Sequence, residues 1–162
     1  MHPNEQLIER FYTSFQKRDP DGMVACYHPE IRFSDPVFPD LRGESAGAMW
    51  RMLSARAKSF ELTFRDVRAD GERGSAHWEA SYDFSLTGRR VHNVIDASFQ
   101  FRDGKIIRHE DTFDLWRWLS MALGPKGRLL GWLPPVQNAM RKNAAGGLRD
   151  FEAAERAKGA AR

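Results

Sequence analysis

A run of strict alternation constrains this chain more than any other feature. From residue 61 onward, apolar and polar residues change places at every second position. The cleanest segment sets Ala76, Trp78, Ala80, Tyr82, Phe84 and Leu86 against His77, Glu79, Ser81, Asp83 and Ser85. A period of two marks a strand with one face on a core and the other in water. Leu62 and Phe64 begin an earlier strand, which Asp70-Gly71 turns. Thr87-Gly88-Arg89-Arg90 reads as a hairpin connection, and residues 91–102 return as a long strand. Asp103-Gly104 is the strongest hairpin signal in the chain and leads straight into a strand over 106–115.

Helices precede this meander. Leu7, Ile8, Phe11 and Phe15 recur at helical spacing over residues 4–18, with Asn4 as N-cap. Asp19-Pro20-Asp21-Gly22 stops that helix. A short helix over 22–27 would bury Met23, Val24 and Tyr27. Ile31-Arg32-Phe33-Ser34-Asp35 alternates as a strand, which Pro36 and Pro39 end. A third helix over 45–59 would bury Met49, Trp50, Leu53 and Ala57. Helices first and strands after predict an α+β fold, a cone-shaped curved antiparallel sheet packed on N-terminal helices. With 162 residues, one domain can bury a real core and still enclose a small-molecule cavity. Trp78, Tyr82 and Phe99 are expected partly on the outer face. Such an apolar area calls for a partner, and a homodimer is the expectation.

The strand Ile107-Arg108-His109-Glu110-Asp111-Thr112-Phe113-Asp114-Leu115 carries the chemistry. One face holds Ile107, His109, Asp111, Phe113 and Leu115, and the other holds Arg108, Glu110, Thr112 and Asp114. Side chains two apart on a strand point the same way, ~7 Å apart at the backbone. Burying an ionisable pair is costly unless it is hydrogen-bonded. His109 and Asp111 therefore form either an acid/base site in a cavity or a core pair that fixes geometry. Asp35 ends the face begun by Ile31 and Phe33. Asp96 lies in Val94-Ile95-Asp96-Ala97-Ser98-Phe99, either inward as a functional acid or in water with Ser98 and Gln100. Asn93 stands near the start of that strand. His77 and His92 fall on polar faces and are read as solvated.

Charge is unevenly spread. Residues 126–162 hold eight Lys/Arg against three Asp/Glu, a net of +5, and residues 1–125 a net of −2. The tail lacks the basic-aromatic motifs of an RNA module, so no nucleic-acid partner is expected. No apolar stretch approaches the ~20 residues of a membrane span. The start shows no basic region leading into an apolar run, and a cytoplasmic location is expected. Cys26 is the single cysteine, so no internal disulfide forms and no metal site rests on it. After Leu115, Trp116, Leu119 and Leu123 continue as a helix to Gly124-Pro125. Leu129-Leu130-Gly131-Trp132-Leu133 is apolar, and a further helix over 136–145 should end at Gly146-Gly147. Residues 117–162 are thus expected as a helical extension, a lid over the pocket or a dimer contact.

Phe33-Ser34-Asp35-Pro36, Asn93-Val94-Ile95-Asp96 with Phe99-Gln100-Phe101, and Asp103-Gly104-Lys105-Ile106 with His109 and Asp111 resemble the nuclear transport factor 2-like superfamily. Within it, the likeness is to the ketosteroid isomerases and the SnoaL-like polyketide cyclases; it covers about residues 5–116 and implies one such domain over residues 1–116. The resemblance to the isomerases implies Asp35 as general base and Asp96 as a protonated donor in an oxyanion hole. Raised acids in that role are known from that enzyme family. The family's oxyanion-hole Tyr aligns with Phe11, which has no hydroxyl, and the adjacent Tyr12 lies about 100° round the helix. The resemblance to the cyclases implies acid/base roles for His109 and Asp111, with no metal and no organic cofactor. Limonene-type epoxide hydrolases carry an Arg two residues before the strand Asp, where this chain has Val94.

Together these readings predict proton-transfer chemistry on a small apolar carbonyl compound. Asp35, Asp96, His109 and Asp111 would be catalytic, and Phe11, Tyr12, Trp50, Trp78, Asn93 and Phe113 would form the pocket. The alternatives are a ligand-binding protein without chemistry, and an interaction module using Trp116, Trp118 and Trp132 as surface.

Overall fold

A computed structural model describes residues 1–160. Helices α1 (Pro3–Gln16), α2 (Pro20–Val24) and α3 (Glu44–Arg56) alternate with strands β1 (Tyr27–Ser34) and β2 (Leu41–Arg42). The strands β3 (Lys58–Ala69), β4 (Arg73–Asp83), β5 (Arg90–Arg102) and β6 (Lys105–Thr112) follow. The chain then continues in α4 (Leu115–Leu123), α5 (Pro125–Leu130) and α6 (Pro134–Ala160). The sheet order is β2-β1-β6-β5-β4-β3. The meander is antiparallel throughout, and β1 joins β6 in parallel with Phe33 opposite His109. The α+β architecture expected from the alternation is the one observed.

Curvature comes from local breaks in pairing. Register shifts between Lys58 and Glu61, and between Arg65 and Arg68, contain Ser59 and Asp66, both at positive φ. A bulge of this kind bends a strand and sharpens its twist. Asp103 (φ 53°) and Gly104 (φ 72°) supply the two left-handed residues of the tightest hairpin. Gly74 lets α1 approach β4, because a Cβ there would sit 2.9 Å from Ile8 Cδ1.

The concave face presents Trp78, Ala80 and Tyr82 from β4, and Asn93, Ile95, Ala97 and Phe99 from β5. His109 and Asp111 join them from β6. Trp78, Tyr82 and Phe99 therefore point inward, not outward as the sequence reading had them. Their apolar partners are Leu7, Ile8, Phe11, Phe15, Met49 and Trp50 of α1 and α3. Two helix ends also differ from expectation. His2, not Asn4, caps α1 in a capping box with Glu5, and Asn4 turns inward to donate to the Asp70 carbonyl at 2.9 Å. Helix α3 ends at Arg56, leaving Leu53 exposed.

From Pro134 to Ala160 the chain is one long helix, without the end expected at Gly146-Gly147. Helix α6 runs through Gly146 and Gly147 and lies against α3. The Arg51 guanidinium donates to both oxygens of Glu155 at 2.8 and 3.0 Å, and Ser45 Oγ donates to Glu152 Oε1 at 2.8 Å. Leu148 of α6 is buried. Helix α4 covers the far end of the sheet through Val91, Leu115, Trp118 and Leu119. None of the described helices is long and apolar enough to cross a membrane.

Candidate active site

The concave sheet, α3 and α6 enclose a cavity of about 970 Å³. Its wall is largely aromatic, with Phe15, Trp50, Phe60, Trp78, Phe113 and Trp118. The polar side chains opening on its interior are few: Asp35, Tyr82, Asn93 and Asp111. A large apolar cavity with a few convergent polar groups is the usual form of a small-molecule site.

Asp35 stands where β1 opens into the Pro36 loop. Its Oδ1 accepts backbone N–H bonds from Val37 at 2.7 Å and Phe38 at 2.6 Å. Its Oδ2 has no partner among the described residues. Desolvation raises the carboxyl from 3.8 to about 7, with the Asp111 charge adding to the rise and the two backbone bonds opposing it.

Asp111 and His109 sit at the centre of a buried chain of hydrogen bonds. Trp50 Nε1 donates to Tyr27 Oη at 2.9 Å, and Tyr27 Oη meets His109 Nδ1 at 2.7 Å. His109 Nε2 meets Asp111 Oδ1 at 2.9 Å, and Trp78 Nε1 reaches the same oxygen at 3.3 Å. The donor inventory orders this chain. An indole N–H can only donate and an ionised carboxylate can only accept, so His109 Nε2 carries a proton towards Asp111. A neutral ring then accepts the Tyr27 proton at Nδ1, and every group is satisfied. Phe11, Phe33, Trp50 and Phe99 enclose the imidazole, which is fully buried and does not line the cavity. Asp111 does line it. His109 thus stands behind Asp111 and holds it by hydrogen bond, while Asp111 faces the cavity.

Other expected residues also move. Asp96 is on the convex face with its side chain 82% exposed, and it pairs with His77 Nδ1 at 2.9 Å. The parity of β5 forces this, since Asn93, Ile95 and Ala97 point inward and Asp96 must point out. Asp96 cannot serve as a protonated donor in the cavity. Phe11 and Tyr12 belong to the core behind the cavity rather than to its wall. Tyr12 Oη is buried without a partner among the described residues, and burial pushes the phenol well above its ordinary range. His77 and His92 are on the convex face as expected, linked through Glu79 at 3.1 and 2.8 Å. Trp50, Trp78, Asn93 and Phe113 line the cavity.

Two residues of the site were not singled out from the sequence. Tyr27 belongs to β1, not to α2, and it anchors His109. Tyr82 opens on the cavity with its hydroxyl accepting from Trp118 Nε1 at 2.9 Å. Because that oxygen already accepts, its own proton is free to be donated to a ligand. Burial lifts the Tyr82 phenol to about 12, the Trp118 bond opposes this, and the nearby Asp35 charge adds to it. The shared parity of Tyr82 with Trp78 was the available signal. Among the described residues, no group of three or more His, Cys, Asp or Glu side chains converges as a metal site requires.

The SnoaL-like domain matches residues 8–109 of the chain. The chain belongs to this family. None of the curated proteins matches it in sequence. Solved structures repeat the fold. An epoxide hydrolase of the limonene type from M. tuberculosis is 21% identical, with 82% of this chain and 96% of that one covered at a TM-score of 0.63. A protein of ketosteroid isomerase-like fold from Catenulispora acidiphila, in complex with trimethylamine, is 11% identical, with 74% and 93% covered at 0.65. A protein named as a polyketide cyclase from a Silicibacter species is 19% identical, with 72% and 92% covered at 0.62. The names attached to this one architecture span hydrolase, isomerase and cyclase, so the fold alone does not select a reaction.

Proposed function

We propose that the chain is a cofactor-free acid–base enzyme of the isomerase or cyclase kind, acting on an apolar carbonyl compound. The observation that carries this reading is Asp35, a carboxyl raised to about 7 in an aromatic cavity that also holds a second carboxylate. A base is most effective when its pKa lies near the working pH, because it is then ionised yet still basic enough to take a proton. Asp35 removes a proton from the carbon next to the carbonyl. Tyr82 donates its hydroxyl proton as a hydrogen bond to the oxygen on which charge develops, the part that Phe11 cannot play. Asn93 offers a second donor on the same wall. Asp111, held by His109 and Trp78, is the fixed acceptor for a hydroxyl or a migrating proton. A protein-interaction module would not need a ligand volume of about 970 Å³, and the cavity favours small-molecule chemistry over that alternative.

Deuterium uptake at the α-carbon of a panel of aryl ketones and lactones, followed by NMR, tests the proposal. Exchange should accelerate as pH rises through about 7 and vanish in Asp35→Asn. Exchange that survives this substitution unchanged would remove Asp35 as the base, and no exchange in the unaltered protein would leave a ligand-binding protein.

We also infer a homodimer, though not through the face the sequence suggested. Leu129 is 71%, Trp132 63%, Leu130 43% and Trp116 41% exposed, and all four lie around α4 and α5. Apolar groups clustered in this way favour a partner surface. Sedimentation of the protein at micromolar concentration should give twice the 18.6 kDa chain mass. A purely monomeric species would sink this inference.

A further inference from the structure

The cavity has a second charged end. Around its mouth stand Arg18, Arg56, Lys142 and Arg149, against only Asp83 and Asp150. Arg18 is committed, donating to the carbonyls of Ser54 and Ala57 at the end of α3. Asp83 is paired with Arg90 at 3.3 Å. Arg56, Lys142 and Arg149 are exposed, and none forms an ion pair among the described residues. Their arrangement is bound up with the two glycines of α6. A Cβ on Gly147 would stand 3.4 Å from Arg56 Nη1, and one on Gly146 would stand 3.8 Å from Arg149 Nη2. Both guanidinium groups thus rest beside the stretch of helix that carries no side chains, facing the opening.

We propose that the cavity takes a ligand with an anionic head group, a carboxylate or a phosphate, held at the mouth by Arg56, Lys142 and Arg149. The carbonyl end of this ligand lies inside, and that half of the statement rests on the function proposed above. The polarity follows from electrostatics at both ends. Asp35 and Asp111 share the interior, so an anion placed there would meet like charge in an apolar wall. The same anion at the mouth meets three cations without an ion-pair partner, opposed by the single carboxylate of Asp150, and two of the cations are guanidinium groups suited to two-pronged contacts with carboxylate or phosphate. The ligand is therefore amphipathic, and its head group sets which end enters. An entirely apolar compound would leave the three cations without a role and would lack this orientation.

Binding of decan-1-ol, decanoate and decyl phosphate tests the head group separately from any catalysis. Trp50, Trp78 and Trp118 line the cavity, so their fluorescence reports occupancy. At low salt both anions should bind about tenfold more tightly than the alcohol, a preference that weakens as screening sets in at physiological salt. The triple variant Arg56→Gln, Lys142→Gln, Arg149→Gln should bind all three alike, at the affinity of the alcohol for the unaltered protein. The ratio of decanoate to decyl phosphate identifies the head group. Equal affinities in the unaltered protein would overturn the proposal, as would a triple variant that keeps the preference. A triple variant that also loses the alcohol would overturn it too, because the cations would then be holding α6 rather than a ligand. Asp35→Asn should retain the anion preference. The same preference in an unaltered protein that exchanges no ketone protons would reject the proposed reaction and leave the head-group site standing.

Discussion

Replacing Asp35 by Asn should make the protein more stable at alkaline pH and abolish its proton-transfer activity. The amide keeps an oxygen to accept the Val37 and Phe38 N–H bonds and is nearly the same size, so packing is conserved. What changes is the charge. The carboxyl titrates at 3.8 ordinarily and at about 7 in the folded chain. Between those values the folded state holds a proton that the unfolded state has released. Stability therefore falls as pH rises through this window, and the loss is complete above about 7. At 1.36 kcal/mol for each pH unit of separation, the full cost is about 4 kcal/mol. Water entering the half-open cavity reduces it, and about 2–3 kcal/mol is the expected gain for the Asn variant at pH 8. Below pH 4 the two proteins should be nearly equal. Urea denaturation at half-unit steps from pH 4 to 8.5 reads this directly as a diverging pair of midpoints. Parallel midpoint curves across that range would mean that Asp35 ionises freely, and the base assignment would fall with the burial argument. Asp111→Asn offers a cross-check, since removing its charge should lower the Asp35 titration followed by carboxyl ¹³C shifts.

Three further outcomes are expected. Tyr82→Phe should reduce α-proton exchange by about 10²–10³ in rate with little change in ligand affinity, measured by the same NMR assay and by fluorescence titration. His109→Phe should destabilise the fold by about 2–4 kcal/mol in urea denaturation, because Tyr27 Oη and Asp111 Oδ1 lose a buried partner; a change below about 0.5 kcal/mol would contradict the buried chain of hydrogen bonds. Gly146→Ala should raise stability by about 0.5–1 kcal/mol, since a Cβ there meets nothing closer than 3.8 Å and glycine is unfavourable inside a helix; calorimetry reads the shift.

The sheet was legible because burial enforces its period. Each residue from Ala76 to Tyr82 has its face decided by its neighbours two positions away, and the structure follows that parity without a slip. The same rule would have corrected Asp96, which a short sequence likeness placed inside although Asn93 and Ile95 occupy the inward positions. Helix α6 was not legible for a different reason. Gly146-Gly147 is a strong local break, worth about 1 kcal/mol for each glycine. The groups that override it, Arg51 and Ser45, lie more than 100 positions from their partners Glu155 and Glu152. No local pattern announces contacts of that range. Tyr82 fell between the two cases: its facing was decided by parity, but its role depends on Trp118.

The position of these residues in the chain separates two kinds of work. The family match ends at residue 109, and within it lie Asp35, the proposed base, Tyr82, the proposed donor, Asn93 and His109. Beyond it lie Asp111, Phe113, Trp118, Lys142 and Arg149, all of which line the same cavity. Residues 8–109 of this chain thus supply the curved sheet and the raised carboxyl of Asp35. The segment after it adds to that wall: Trp118 donates to the Tyr82 hydroxyl, the Asp111 charge raises the Asp35 carboxyl, and α6 brings Lys142 and Arg149. Substitutions within the first group should change rate across a ligand series by a common factor, while those in α6 should change which member of the series is preferred. A specificity that lay wholly in residues 8–109 would leave that preference unaltered when α6 is replaced.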